Sequence, residues 1–285
     1  MDSSSDLQFV KKPVAKTVSR PWGKWGLRTT TIVYLGLMIV LPLSSIFKTG
    51  LGDGLISFFA ELTRPITFAA LKLTLITAVL TTTINVVMGT LTAYVLVRFR
   101  FPGRDLLNTI IDAPFAIPTL VTGVMLVVLY GPQRTLGAWL EAHGISVIFA
   151  TPGIVLALLF ITYPFVIRTV QAVLLEIETN QEEAAYSMGA SKWITFRRIL
   201  LPMIVPAIIT GAMLSFARAL GEFGSIVAVA GNIPGRTLTA SVYIFGQIES
   251  DNQRGASAVS ILLLLTSFVL ILLVDWIGRK RIRLE

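Results

Sequence analysis

The chain has 285 residues, of which 54% are hydrophobic and only 14% charged, with a net charge of +8 and a mean hydropathy of +0.77. That balance belongs to a membrane protein and lies outside the range of soluble globular domains. The lack of cysteine excludes disulfides, thiolate metal sites and Cys nucleophiles, and a single histidine, His143, cannot build a His-rich metal site.

In chain order, residues 1–28 read as a basic tail containing Pro13, Pro21, Gly23 and Gly26. A hydrocarbon core about 30 Å thick needs about 20 mostly apolar helical residues. Six segments meet that need: about Thr30–Phe47, Thr67–Val97, Asn108–Tyr130, Phe149–Val170, Met203–Ala230 and Ala256–Ile277. The first has no small-residue cleavage site after it and reads as an uncleaved anchor. The second is longer than a bilayer requires, so it tilts or protrudes. Its Thr74, Thr77, Thr81, Thr82, Thr83 and Asn85 favour contact with other helices over lipid. Lys72 sits where a long amine can snorkel to the interface. The third opens with Pro114 and Pro118, which predict a kink, and Asp112 near its start reads as solvated or salt-bridged. His143 reads as a solvated loop residue.

Positive charge predicts the orientation. With residue 1 inside, Lys and Arg concentrate on cytoplasmic segments, and only Lys48, Arg64, Arg134, Arg236 and Arg254 fall outside. Both termini, and the connection between spans four and five, are expected in the cytoplasm. The basic balance is then a product of topology, and nucleic-acid binding is not expected.

That connection is the most polar interruption in the chain, EAAYSMGASKWITFRRILLP from Glu183 to Pro202. Asn180 followed by Glu183 forms a capping-box arrangement, with Glu182 and Glu183 in a helix's first turn. Gly189 can close that helix in the left-handed conformation. Ser191 can cap a second helix whose Trp193, Phe196 and Leu200 share a face, before Pro202 opens the next span. The expectation is two short helices joined by a glycine turn outside the membrane.

Span five carries SFARALGEFGSIVAVAGNIPGRT, where Arg218 and Glu222 stand one helical turn apart and can pair. Mid-bilayer charge is costly, so both should point inward. Two readings fit: an anion pathway, with Arg218 attracting a dianion and Glu222 preventing its capture, or a buried ion pair holding helices in register. Gly221 and Gly224 are expected to thin the helix there.

The positions Glu183, Ala184, Ala185, Gly189, Ile199, Leu201 and Pro202 resemble, at every fixed spacing, the EAA loop of permease subunits of ATP-binding-cassette importers. RFRFPGRDLLNTIIDAPFAIPT, YPFVIRTVQAVLLEIE and SFARALGEFGSIVAVAGNIPGRT are similar to the sulfate and molybdate branch of those permeases, most nearly to T-type sulfate/thiosulfate subunits. The resemblance covers about Ile66 to Ile277. It implies an all-α polytopic membrane protein with six transmembrane helices, the type I importer permease fold and a cytoplasmic coupling loop. The divisions are then a tail at 1–28, a first transmembrane helix and periplasmic connection at 29–65, a permease domain at 66–277 with its loop at about 176–202, and a basic end at 278–285.

The resemblance also implies partners: a second permease subunit, W-type in sulfate systems, two ATPase subunits and a periplasmic sulfate-binding protein. All would act at a bacterial inner membrane. No G-x-x-x-x-G-K-[ST] phosphate loop occurs, so this chain is expected to bind no cofactor, with ATP and Mg held by the ATPase. A molybdate or tungstate permease is the alternative within the class. A proton-coupled anion carrier using Arg218 and Glu222 is the alternative outside it. An intramembrane enzyme built on Glu222 with Arg218 or Asp112 would leave the loop unexplained and would lack a nucleophile or metal constellation.

Overall fold

A computed structural model describes residues 21–178 and 180–282, all helices and connections among those residues. Most of the tail and the last three residues lie outside them. The chain divides after Ser45 into two compact units. The first contains α1 (Pro21–Leu35), which begins inside the stretch expected as tail, and a π-helical turn, Gly36–Val40. Its apolar side chains, Ile32, Leu37, Met38 and Val40 among them, are exposed, as contact with lipid requires.

α2 (Leu41–Leu51) follows, then α3 (Gly54–Leu62) and the long α4 (Pro65–Arg98). At about 1.5 Å per residue, α4 is about 50 Å long and overshoots the hydrocarbon core as expected. Span three is broken: α5 (Arg104–Ile111) and α6 (Ala113–Ala116) meet α7 (Thr119–Tyr130) at 113°. Pro118 causes the break, since it stands at the cap of α7 and biases Ile117 toward extended backbone. α8 (Thr135–Ala142) is a short connection, and α9 (Thr151–Glu176) is the fourth span.

The loop then runs through α10 (Asn180–Ser187), α11 (Lys192–Thr195), a π-helical turn (Phe196–Leu200) and α12 (Leu201–Leu220). The expected second loop helix and the fifth span are therefore one helical run from Lys192 to Leu220. Pro202 does not start the span; it lies within it. The wide turn just before it explains why. Leu201 N–H bonds back to Phe196 O, five residues away, which relieves the clash a proline ring makes with the preceding turn. The other Leu-Pro pair repeats the device, with Leu41 N–H bonded to Gly36 O ahead of Pro42.

Span five also ends earlier than expected. The helix stops at Leu220, and α13 (Gly224–Val229) is a separate piece. Gly221 and Gly224 do not thin a continuous helix, because the chain turns there. α14 (Ala240–Glu249) and α15 (Gln253–Ile282) are the last of the described helices. Among the described residues five helices are long and apolar enough to cross a membrane, and the bent pair brings the number to six.

α4, α9 and α12 form the centre. Small residues bring their backbones together, which matters in lipid, where apolar side chains gain little from leaving their surroundings. A Cβ at Gly211 would lie 2.8 Å from Val166 Cα on α9. Asn85 donates to Thr162 Oγ1 (2.7 Å) and to Ser215 Oγ (3.2 Å), so one amide joins all three helices. Thr74, Thr77 and Thr81 are buried on the same face of α4, whereas Thr83 is exposed and bonds its own turn.

Candidate functional site

α10 begins at Asn180, whose amide donates to Glu178 Oε2 at 3.2 Å. The expected capping box with Asn180 as cap is therefore not formed; Asn180 is already helical. The other end closes as the sequence predicts. Gly189 has φ +83°, Ala190 N–H bonds to Ala185 O (3.0 Å) and Gly189 N–H to Tyr186 O (2.9 Å). That pair of bonds is a Schellman closure. Ser191 then caps the next helix, its hydroxyl accepting from Ile194 N at 3.3 Å.

The turn sorts its residues by face. Glu183, Ala184 and Ser187 are exposed, together with Met188 (82%) and Trp193 (67%). Ala185 is buried, as is Glu182, whose Oε1 meets Arg98 Nη2 at 2.8 Å. The closeness is ionic rather than an aligned hydrogen bond, since Glu182 Oε1 carries none. Ile199 and Leu201 are half-buried, Pro202 is exposed, and Leu200 between them fills an apolar cluster with Leu96, Val170 and Leu174. Of the predicted aromatic face, Phe196 packs edge-on against Tyr94 at 5.3 Å, while Trp193 stacks on Phe196 and stays outside.

The second charged locus is the break in span five. Arg218 lies in the last turn of α12, where the helix dipole favours a cation, and its Nη1 is 2.7 Å from Glu222 Oε2. The partners sit in different settings: Arg218 is 33% exposed and Glu222 1%. Glu222 Oε1 accepts from Ser225 N and Ser225 Oγ, both at 2.9 Å, and so satisfies the first turn of α13. Ser241 Oγ donates to the Glu222 carbonyl at 2.5 Å. α13 lies against α7 so closely that a Cβ on Gly224 would be 2.3 Å from Thr119 Oγ1. The breaks in spans three and five thus adjoin, and non-helical backbone at membrane depth is tolerated where it is buried in protein or lines a cavity.

Asp112 is salt-bridged: Arg168 Nη2 lies 2.6 Å from its Oδ2, and the same guanidinium donates to Asn108 and Gln171. Lys72 is exposed, and His143 is exposed against Trp139. Among the described residues no cluster of His, Asp and Glu could hold a metal. Sequence reasoning missed the Arg98–Glu182 pair, because the two positions are far apart in the chain. It also missed Ser225, whose only signal is its place three residues after an intramembrane acid, and Ser241, which lies 19 residues from Glu222 and carries no local signal.

The fold and these loci define a polytopic helical transport protein: spans joined at polar contacts, broken where they meet, with an exposed turn between two of them. Residues 85–283 match the family described as "Binding-protein-dependent transport system inner membrane component", and the chain belongs to that family. It is 42% identical over 247 residues, 87% of each chain, to the "Probable sulfate transport system permease protein cysT" of Nephroselmis olivacea. It is 38% identical to the "Sulfate transport system permease protein CysT" of Escherichia coli, over 85% of this chain and 87% of that one. The CysW protein of the same organism is 36% identical over 88% of this chain and 87% of its own. A bacterial transporter that imports alginate shares the fold, with a TM-score of 0.77 at 20% identity over 91% of this chain and 96% of that one. The chain is a permease, a transport subunit rather than an enzyme.

Proposed function

We propose that this chain is the T-type permease subunit of an ATP-driven sulfate/thiosulfate importer. It would form half of the pathway and couple it to ATPase subunits that hold ATP and Mg. The single observation that carries the coupling role is the sorting of the turn at 180–195. Met188, Trp193 and Glu183 project from a rigidly closed helix end, while Glu182 and Ala185 fasten it inward. Exposed apolar side chains on a polar turn suit a protein cleft. Glu183, Ala184, Ala185, Gly189, Ile199, Leu201 and Pro202 are its coupling residues.

The relatives named for sulfate transport support the cargo, and those of CysT and CysW type support a heterodimer with a W-type subunit. A periplasmic sulfate-binding protein and two ATPases complete the assembly, in a bacterial inner membrane with both termini cytoplasmic. Arg218, with the unshielded part of its guanidinium, is the pathway residue for the dianion. Glu222 holds α13 and keeps Arg218 from binding the anion tightly.

Purification in mild detergent, followed by identification of co-eluting chains and sulfate uptake by the reconstituted complex, tests this reading. Co-elution with an ATPase and a second permease, with ATP-dependent sulfate uptake, is expected. Uptake of molybdate alone would reassign the cargo. Uptake on a pH gradient without any ATPase would replace the importer by a proton-coupled carrier.

A further inference from the structure

Arg98 and Glu182 belong neither to the exposed face of the turn nor to the charged break in span five. Arg98 ends α4, and its Nη2 lies 2.8 Å from Glu182 Oε1 in the first turn of α10. Both side chains are shielded, at 14% and 8% exposure. The same Nη2 donates to the carbonyl of Ile177 at 3.4 Å, at the cap of α9. One guanidinium therefore touches the ends of three elements. Leu96, Leu174, Ile177 and Leu200 form a single apolar cluster there. α10 itself buries Glu182 and Ala185, so its grip on the bundle is one charge and one methyl group. Glu183, the next residue, is exposed.

We propose that Arg98 is the positioning residue that fastens α10 to α4 and α9, so that a displacement imposed on the turn moves both spans as one body. The proposal rests on the coupling role assigned above. Its physical basis is the stiffness of a shielded ion pair. An apolar contact can slide by an ångström at little cost, because neighbouring atoms replace those lost. Parting two shielded charges leaves each desolvated and unpaired, which is far more costly than the pair's net contribution to folding. A tether of this kind resists separation in any direction, as a coupling element must.

The test uses the reconstituted complex with its ATPase and binding protein, and three variants: Glu182→Gln, Arg98→Gln, and the reversal Arg98→Glu with Glu182→Arg. Each single variant is expected to keep ATP hydrolysis while anion uptake per ATP falls about tenfold, within the 5- to 150-fold range of coupling free energies between sites. The reversal is expected to recover most of that loss, which a merely space-filling role would not give. Single variants with unchanged uptake per ATP, or a reversal no better than either single variant, would overturn the tether.

If the single variants fail to accumulate, the unsubstituted pair is tested directly. The chain has no cysteine, so spin labels attached after Leu91→Cys and Gln181→Cys, both at exposed positions, report the α4–α10 distance cleanly. A distance unchanged between nucleotide-free and ATP-trapped complexes supports the tether, and a distance that changes between them overturns it. Failure of the importer reading looks different, since the unsubstituted chain would then retain no ATPase.

Discussion

Replacing Gly189 by Val tests the turn on which the coupling role depends. Gly189 has φ +83°, and a Cβ built there meets nothing within 4 Å. Within this chain the substitution therefore acts through backbone conformation, with no clash at the added Cβ. A non-glycine residue held in the left-handed region costs about 1–3 kcal/mol, and a β-branched one falls toward the top of that range. A cost of about 2–3 kcal/mol shifts the equilibrium between closed and open turn roughly 30- to 150-fold toward the open form. The two closing bonds, Ala190 N–H to Ala185 O and Gly189 N–H to Tyr186 O, would be lost when it opens. The expected result in proteoliposomes is sulfate uptake reduced by about tenfold or more, with ATPase co-purification weakened. Gly189→Asn, which tolerates the left-handed region, should retain most activity. Normal uptake and normal ATPase association with Val, or an Asn variant as impaired as the Val variant, would refute the reasoning.

Arg218→Leu should leave assembly intact and depress uptake, measured as sulfate flux at equal amounts of purified complex; loss of the complex instead would assign Arg218 to helix registry. Glu222→Ala removes the acceptor for Ser225 N and Oγ and strands Arg218. A loss of about 1–3 kcal/mol is expected in detergent melts, below the value for a fully buried pair because Arg218 is 33% exposed. Ser225→Ala, which removes one hydroxyl from the same carboxylate, should cost about 1 kcal/mol in the same assay. Gly211→Val would press on Val166 Cα and Thr169, and overpacking of about 1–3 kcal/mol should lower the yield of folded complex while Gly211→Ala is milder.

The spans and the loop were legible because their signals are local. Hydropathy over twenty residues marks a helix that can cross lipid, and each of the six expected spans corresponds to one long helix or to the bent pair. Gly189 and Ser191 act within four residues of themselves, and both do what their chemistry predicts. The kink of span three followed from Pro114 and Pro118 on the same ground. The failures have a common cause. Asn180 looked like a cap because its neighbours suited one, yet the helix begins on it. Pro202 looked like a boundary because an isolated proline ends a turn, yet a π-helical turn absorbs it. Span five looked continuous through Ala230 because its apolar residues are, yet the chain turns at Gly221 and Glu222 stabilises the new helix start.

Amino-acid order alone therefore determined that the chain crosses a bilayer repeatedly, which stretches are apolar enough to do so, and which polar turn stands apart. These properties depend on the solvent preference and backbone freedom of consecutive residues. Only the tertiary structure decided that Arg98 holds Glu182, that Asn85 joins three helices, and that the broken ends of spans three and five lie together at Thr119 and Gly224. Those are contacts between residues separated by tens of positions, and a charge or an amide has no partner until helix packing brings one within a few ångströms.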